Sequence, residues 1–269
     1  MVTVLKASGE IEPFSEDKLL LSIKRAGIPP KLHAEVLSHI KNTLYNRIPT
    51  SEIYNHIQEY LEETEKPYEK AKYSLKKAIM DLGPTGFPFE VYVAEILKAI
   101  GFHTEVGRFM TGKCVNHEVD ILASKEGRKV MVECKFHNMS GTRSNLHVSL
   151  YTKARFDDLK DKHGLNEALL VTNTKITPDA LSYALCENIK VISWSYPENE
   201  SLRDLIEKHK LYPITQLTGI SNSQKQELLS KNIVLIRQIA SSPINLNEIS
   251  LPEAKKREII NEAVGIFSS

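Results

Sequence analysis

The chain has 269 residues, 41% of them hydrophobic and 26% charged, with a formal net charge of +1. That length suits two or three domains, and no apolar run approaches the roughly 18–20 residues of a membrane span. A near-neutral balance excludes a globally basic nucleic-acid binder and leaves local patches to decide.

The opening MVTVLKASGE has no apolar stretch after a basic start, so no signal peptide is expected. Three scattered cysteines, an odd number, argue against a disulfide framework and for a reducing, cytoplasmic setting. Residues 2–5 alternate, Ser8-Gly9 marks a turn and residues 10–12 are a second extended piece, which together predict a small hairpin. Helical spacing follows. Leu19, Leu20, Ile23 and Ala26 share a face, with Ser15 as N-cap and Gly27 as the stop before Pro29-Pro30. A second helix carries Val36, Leu37, Ile40 and Leu44. A third starts at Thr50 and carries Ile53, Ile57 and Leu61, and a fourth runs over about 68–82. Gly83-Pro84-Thr85-Gly86 then breaks the chain, so a first domain is expected over 1–83.

Residues 87–208 change character. A helix over 89–100, ended by Gly101, leads into strand-like runs at 118–122 and 129–133. A helix over 151–159 precedes a strand at 168–172, a helix opened by Thr177-Pro178, a strand at 190–193 and a helix near 202–207. This alternation predicts a mixed α/β domain. Residues 211–269 are short helical pieces broken by Gly219, Ser241-Ser242-Pro243 and Pro252. The whole reads as an α+β multidomain chain.

In the first segment the residues Val4, Lys6, Gly9, Glu12, Phe14, Lys18, Leu19, Ser22, Ile23, Arg25 and Gly27, with the later IPTSEI from Ile48, keep a fixed spacing. The segment resembles the ATP-cone, the regulatory nucleotide-binding domain at the front of many ribonucleotide reductases. The residue chemistry agrees: a glycine turn lets backbone approach a ligand, two lysines supply charge to phosphate, and Thr50 offers a hydroxyl beside the free N–H groups of a helix start. The resemblance implies a mostly helical domain with a small hairpin, and ATP or dATP as regulatory ligand. It places Lys6, Gly9, Glu12, Lys18 and Thr50 at the nucleotide, with a fourth-helix lysine, Lys72 or Lys76, nearby. Ala7 and Ser8 depart from the family's usual basic and acidic pair.

Asp120 sits in one apolar run and Glu133-Cys134-Lys135 closes the next, with Glu126-Gly127-Arg128 as the turn between them. Such a hairpin brings two carboxylates to one end, where they suit Mg²⁺, which takes one or two carboxylates and keeps waters for a phosphate to displace. Glu133 and Lys135 face the same way. An ammonium there can orient the attacking water and stabilise developing charge, while the metal acidifies water and polarises the phosphoryl oxygen. The pattern resembles the PD-(D/E)xK nucleases, and within them the Mrr-like restriction endonucleases. Phe89-Glu90 on the leading helix and ALLVTNTKITPDALSYA with the later VISW match that branch as well. The resemblance implies a restriction-endonuclease-like mixed sheet and a Mg²⁺- or Mn²⁺-dependent endonuclease acting on DNA. Glu90, Asp120 and Glu133 become the metal ligands and, with Lys135, the catalytic set. Arg143, Lys153 and Arg155 are candidate phosphate contacts, for each of which a merely solvated charge is the plainer reading. His117 and His137 flank the site in sequence and are candidates to touch DNA phosphate, with ordinary loop histidines as the plainer reading.

GRFMTGKC, from Gly107, matches a phosphate-binding P-loop except at its last position, where Cys114 replaces a hydroxyl residue. A P-loop needs a helix after it, whereas here the chain leads into a strand, so the match is expected to be coincidence. LTGISNSQKQELLSKNIVLIRQIASS, from Leu217, resembles half of a tandem helix-hairpin-helix module, whose turn amides hold DNA phosphate. Packing against the central domain competes with that reading, as does self-association into a homo-oligomer. The sequence thus points to a nucleotide-regulated, metal-dependent DNA endonuclease with no membrane partner. A non-catalytic, nucleotide-responsive DNA-binding regulator is the alternative, against which the intact acidic pair speaks, because carboxylates repel phosphate.

Overall fold

The computed structural model describes residues 2–6, 8–25, 28, 30–63, 67–139 and 141–268. The expectations at Ala7, Ala26, Gly27 and Pro29 lie outside them, as do the side chains of Arg25, Leu61 and Lys72. β1 (Thr3–Leu5) and β2 (Ile11–Pro13) form the expected antiparallel hairpin. α1 (Glu16–Arg25) and α2 (Pro30–Thr43) follow, then β3 (Ile48–Pro49), which pairs parallel to β1. The two-residue β3 carries no sequence signal of its own. α3 (Thr50–Glu63) and α4 (Pro67–Met80) complete the segment. Ser15 Oγ accepts from the Lys18 N–H at 3.3 Å, while Glu16 and Asp17 put negative charge at the positive end of α1. Val4, Leu19, Ile23, Val36, Ile40, Ile48, Ile53 and Ile57 bury one core between sheet and helices.

After α5 (Phe87–Ala99) come β4 (His103–Thr111), β5 (Asn116–Lys125) and β6 (Arg128–Lys135), then β7 (Arg143–Ser144) and α6 (Leu146–His163). β8 (Glu167–Thr172), β9 (Lys175–Ile176), α7 (Pro178–Cys186), β10 (Ile189–Ile192) and α8 (Leu202–Lys208) follow. Five strands make one mixed sheet in the order β10-β8-β6-β5-β4, parallel from β10 to β6 and antiparallel from β6 to β4; β7 and β9 pair separately. β4 escaped the sequence reading because it is the sheet edge. Met110 is its one fully buried side chain, so no apolar alternation marks it. α6 extends beyond the predicted 151–159 at both ends, its exposed Leu146, Leu150 and Tyr151 lying on a face with no apolar stripe.

The sheet is covered on both sides. Val119, Met131, Ala168, Leu170 and Val191 pack with Leu159 of α6 and Ala184 of α7. On the other face Ile121, Val130, Val132, Leu169 and Val171 pack with α5, with Leu75 and Ile79 of α4, and with the C-terminal segment. That segment comprises α9 (Asn222–Ser230), α10 (Ile236–Ser241) and α11 (Glu253–Ser268) with two 3₁₀ turns. Its Leu228, Leu229, Leu235, Ile236 and Ile239 are buried in the same core, each contributing about 1.5–3 kcal/mol of apolar burial. Tyr92 Oη donates to the Leu211 carbonyl and Thr215 Oγ1 to the Ala78 carbonyl, both at 2.6 Å, which seats the segment on α5 and α4. The Gly219 turn is not open. The Thr218 and Gly219 N–H groups donate to the Glu262 carboxylate of α11 at 2.7 and 3.0 Å. Among the described residues no helix is long and apolar enough to cross a membrane.

Candidate active site

The β5–β6 turn places Glu126 at φ 49° and Gly127 at φ 79°, two successive left-handed residues that match the twist of a tight hairpin. The ladder runs from Lys125↔Arg128 to Ile121↔Val132 and stops there. Val119 packs in one core and Ile121 in the other, so the two-residue alternation is interrupted at Asp120. Opposite, β4 pairs Val106 with Ile121 and Arg108 with Val119, leaving Gly107 between them at φ 66°. The ladder is thus interrupted at the Gly107–Asp120 position with no change of register, and glycine's freedom at positive φ accommodates the local distortion. Asp120 Oδ2 turns inward and accepts from the Cys134 N–H at 2.7 Å, in the place of a ladder bond.

Asp120 and Glu133 therefore share one end of the hairpin. Arg155 of α6 stands over both, its Nη1 2.6 Å from Glu133 Oε2 and 3.8 Å from Asp120 Oδ1. Glu90, in the first turn of α5, completes the acidic side. Burial pushes its carboxyl up to about 7, and the charges of Asp120 and Glu118 add to the shift. Glu133 is likewise pushed up, by burial first and then by Asp120; Asp120 is raised by burial against the pull of Cys134 N–H and Arg155. Lys135 is exposed, and its charge acts on both carboxylates. Glu118, not anticipated from the sequence, adds negative charge to the same cluster.

Among the described residues no three His, Cys, Asp or Glu side chains are drawn together closely enough to cage an ion as they stand. The donor set nonetheless fits a hard divalent cation. It consists of carboxylate oxygens whose charged form is disfavoured by burial first and then by mutual repulsion, which a bound cation would relieve. A pH dependence follows. Between about 4.5 and 7 the native protein holds more protons than the unfolded chain at Glu90 and Glu133, so its stability falls as pH rises through that window. Asp158 and Glu167, held low by His117 and Arg128 respectively, finish titrating below it. His137, held low by burial, opposes this below about 6.5, and Lys76 opposes it above about 7. Calorimetry in a chelator is therefore expected to show the melting temperature dropping by only roughly 3 °C, from pH 5 to pH 7, a drop that Mn²⁺ removes. A flat profile in chelator would contradict this charge arrangement.

In the N-terminal segment the structure brings three of the named residues into contact. Glu12 Oε2 lies 2.7 Å from Lys6 Nζ and 2.8 Å from Lys18 Nζ, and these two ammonium groups hold its carboxyl below the usual range. Gly9, at φ 83°, forms the hairpin turn with open space where a Cβ would stand. Leu5 pairs with Pro49, so Lys6 and Thr50 each stand one residue beyond that pair, with Thr50 heading α3. Lys76 does not join them. It reaches the central domain, where it donates to the Asn173 carbonyl and lies 4.3 Å from the Trp194 ring centroid.

The P-loop-like stretch has a structural purpose. Its turn wraps the Asp158 carboxylate of α6, which accepts from Cys114 N at 2.7 Å, Val115 N at 3.3 Å and His117 Nε2 at 2.8 Å. These bonds hold the Asp158 carboxyl far below its ordinary range. Of the three basic residues near 150, Lys153 pairs with Asp157 and Glu187, Arg143 is exposed, and Arg155 alone enters the acidic site.

Three family models match the chain: an ATP cone domain over residues 2–80, a restriction endonuclease domain of the Mrr catalytic type over 84–196, and an AF1548-like C-terminal domain over 212–267. An uncharacterized protein of Archaeoglobus fulgidus is 40% identical over 172 residues, which cover 64% of this chain and 97% of that relative. The chain belongs to the AF1548-like family. A solved structure titled as the crystal structure of AF1548, a protein of unknown function, superposes with a TM-score of 0.61 at 38% identity, covering 68% of this chain and 99% of that one. This AF1548-like chain thus joins an ATP-cone to an Mrr-type restriction endonuclease domain. Its Asn173, buried at the end of β8, ties the two together. Asn173 Oδ1 accepts from the His137 N–H at 2.9 Å and its Nδ2 donates to the His137 carbonyl at 2.7 Å, two residues past Lys135. Nothing in the local sequence marks Asn173 or Lys76 as partners.

Proposed function

We propose that the chain is a Mg²⁺- or Mn²⁺-dependent DNA endonuclease whose cleavage is set by ATP or dATP at its N-terminal domain. The observation that carries this reading is the meeting of Asp120 and Glu133 at Arg155, with Glu90 and Lys135 near enough for their charges to act on that pair. Glu90, Asp120 and Glu133 would hold the cation, which when bound neutralises phosphoryl oxygens and makes water more acidic. Lys135 Nζ donates to the attacking water, fixes its direction, and stabilises the charge that grows on the phosphoryl group. The Cys134 N–H keeps the Asp120 carboxylate in place throughout.

In this reading residues 1–83 sense nucleotide, 87–208 cleave, and 211–269 brace the cleaving domain, in a cytoplasmic protein. A DNA-binding helix-hairpin-helix role for the last segment gains no support from its Gly219 turn, whose amides are taken by Glu262. Supercoiled plasmid incubated with the protein and Mn²⁺ tests the reading: nicked or linear product supports it. Binding without cleavage would favour the non-catalytic regulator.

Regulation has a physical route. α4 packs on α3, which Thr50 heads, and carries Lys76 to Asn173, which fixes the His137 loop next to Lys135. Burial, with Lys175 adding, pulls the Lys76 ammonium down to about 7, as befits an amine seated inside the central domain. Lys18→Ala is expected to weaken ATP or dATP binding about tenfold or more in calorimetry, because a phosphate-facing charge is lost. Lys76→Met is expected to keep nucleotide affinity and basal cleavage while removing the effect of nucleotide on the cleavage rate. A Lys76→Met protein that still responds fully would eliminate this route.

A further inference from the structure

We infer that Arg155 is a resident counter-ion that trades partners: it neutralises Asp120 and Glu133 in the metal-free protein, then yields their oxygens to a divalent cation and turns its charge to the substrate phosphate. The inference rests on the nuclease reading and extends it to a residue outside the D…ExK set.

The oxygens in question are the same ones. Asp120 Oδ2 is engaged by the Cys134 N–H, which leaves Oδ1, and that atom faces Arg155 Nη1 at 3.8 Å. Glu133 Oε2 lies 2.6 Å from the same nitrogen. A cation bridging Asp120 Oδ1 and Glu133 Oε2 would take the oxygens that this nitrogen covers, and at any site between the two carboxylates its charge and the guanidinium's repel strongly. The guanidinium has somewhere to go. Its Nη2 donates to Tyr151 Oη at 2.6 Å, and its carbon lies 4.6 Å from the Tyr151 ring centroid. Tyr151 is 55% exposed whereas the Arg155 side chain is 11% exposed, so the second anchor sits closer to solvent. Arg155 Nε is buried without a hydrogen-bond partner, a donor left over in a fork whose geometry suits phosphate. A permanent strut between α6 and β6 would leave that donor unexplained.

The test measures Mn²⁺ binding to the full chain without DNA, by calorimetry and by electron paramagnetic resonance, in the parent, Arg155→Met and Arg155→Lys. Loss of the competing charge is expected to tighten Mn²⁺ binding about tenfold in Arg155→Met. The same variant is expected to bind a short DNA duplex in Ca²⁺ about tenfold more weakly than the parent. Arg155→Lys, which keeps a charge but not the fork, is expected to move both quantities about threefold in the same directions. It carries the test alone if Arg155→Met does not fold. A permanent strut predicts Mn²⁺ affinity unchanged or lowered in both variants, and that result overturns the exchange while leaving the nuclease reading standing. Unchanged duplex affinity overturns the phosphate half. A parent that binds no Mn²⁺ overturns the nuclease reading and the exchange with it.

Discussion

Asp120→Asn is expected to lower Mn²⁺-dependent plasmid cleavage by about a thousandfold or more, the scale of losing a group that stabilises transition-state charge. Its melting temperature should stay within about 2 °C of the parent. The two halves of that expectation come from the two oxygens of one side chain. Oδ2 accepts from the Cys134 N–H where the β5–β6 ladder has stopped, and an asparagine carbonyl can accept the same bond. Oδ1 faces Arg155, and the carboxylate's charge is what asparagine lacks. Removing that charge also relieves Glu90 and Glu133, whose carboxyls are raised partly by Asp120. In a chelator the variant should therefore melt no lower than the parent. Asp120→Ala is the poorer probe, since it strands the Cys134 N–H at a cost of about 1–3 kcal/mol. Parent-level cleavage by purified Asp120→Asn would dismiss the site.

The largest effect on stability is expected at Gly112. An added Cβ there would run into the Asp158 carboxylate and meet the Val115 carbonyl oxygen at 2.6 Å. Neither neighbour can retreat. Asp158 is fixed by Cys114, Val115 and His117, while the Gly112 N–H donates to that same Val115 carbonyl at 2.7 Å and the Lys113 N–H to the Asp158 carbonyl at 2.8 Å. Gly112→Ala is expected to cost about 3 kcal/mol, lowering the melting temperature by roughly 8 °C. Because Asp158 belongs to α6, loosening this clasp also loosens the helix that carries Arg155, so cleavage should fall with it. Thermal denaturation decides the matter, and an unchanged melting point would show that the clasp has slack.

The same clasp shows why one motif misled by form. A glycine-bearing turn with free amides is shaped for an anion, and GRFMTGKC does hold one, but the anion is the chain's own Asp158. The Gly219 turn repeats the lesson, with Glu262 as the occupant. A turn's capacity to bind an anion is written locally. Which anion fills it depends on which helix docks there, and Asp158 and Glu262 lie 43 or 44 residues away from the amides they hold.

The acidic hairpin was legible in the sequence because every step was local: apolar runs, a Glu126-Gly127 turn that demands left-handed residues, and carboxylates at equal distance on either side of that turn. The hairpin, helix cap and lysine spacing of the N-terminal segment were legible for the same reason. The break in alternation at Asp120 was not, since it lies opposite Gly107 in a strand whose exposed edge left no pattern. Nor could spacing say that of Arg143, Lys153 and Arg155 the third reaches Glu133, or that Lys76 joins Asn173 across 97 residues and not Lys6 and Lys18. By itself the sequence determined what contiguous residues decide through backbone geometry and periodic burial: the strands, the turns and the acids they carry. Only the tertiary structure decided which charges meet, because a side chain's partner across elements is set by how helices seat on a sheet, and that seating is a property of the whole packed core.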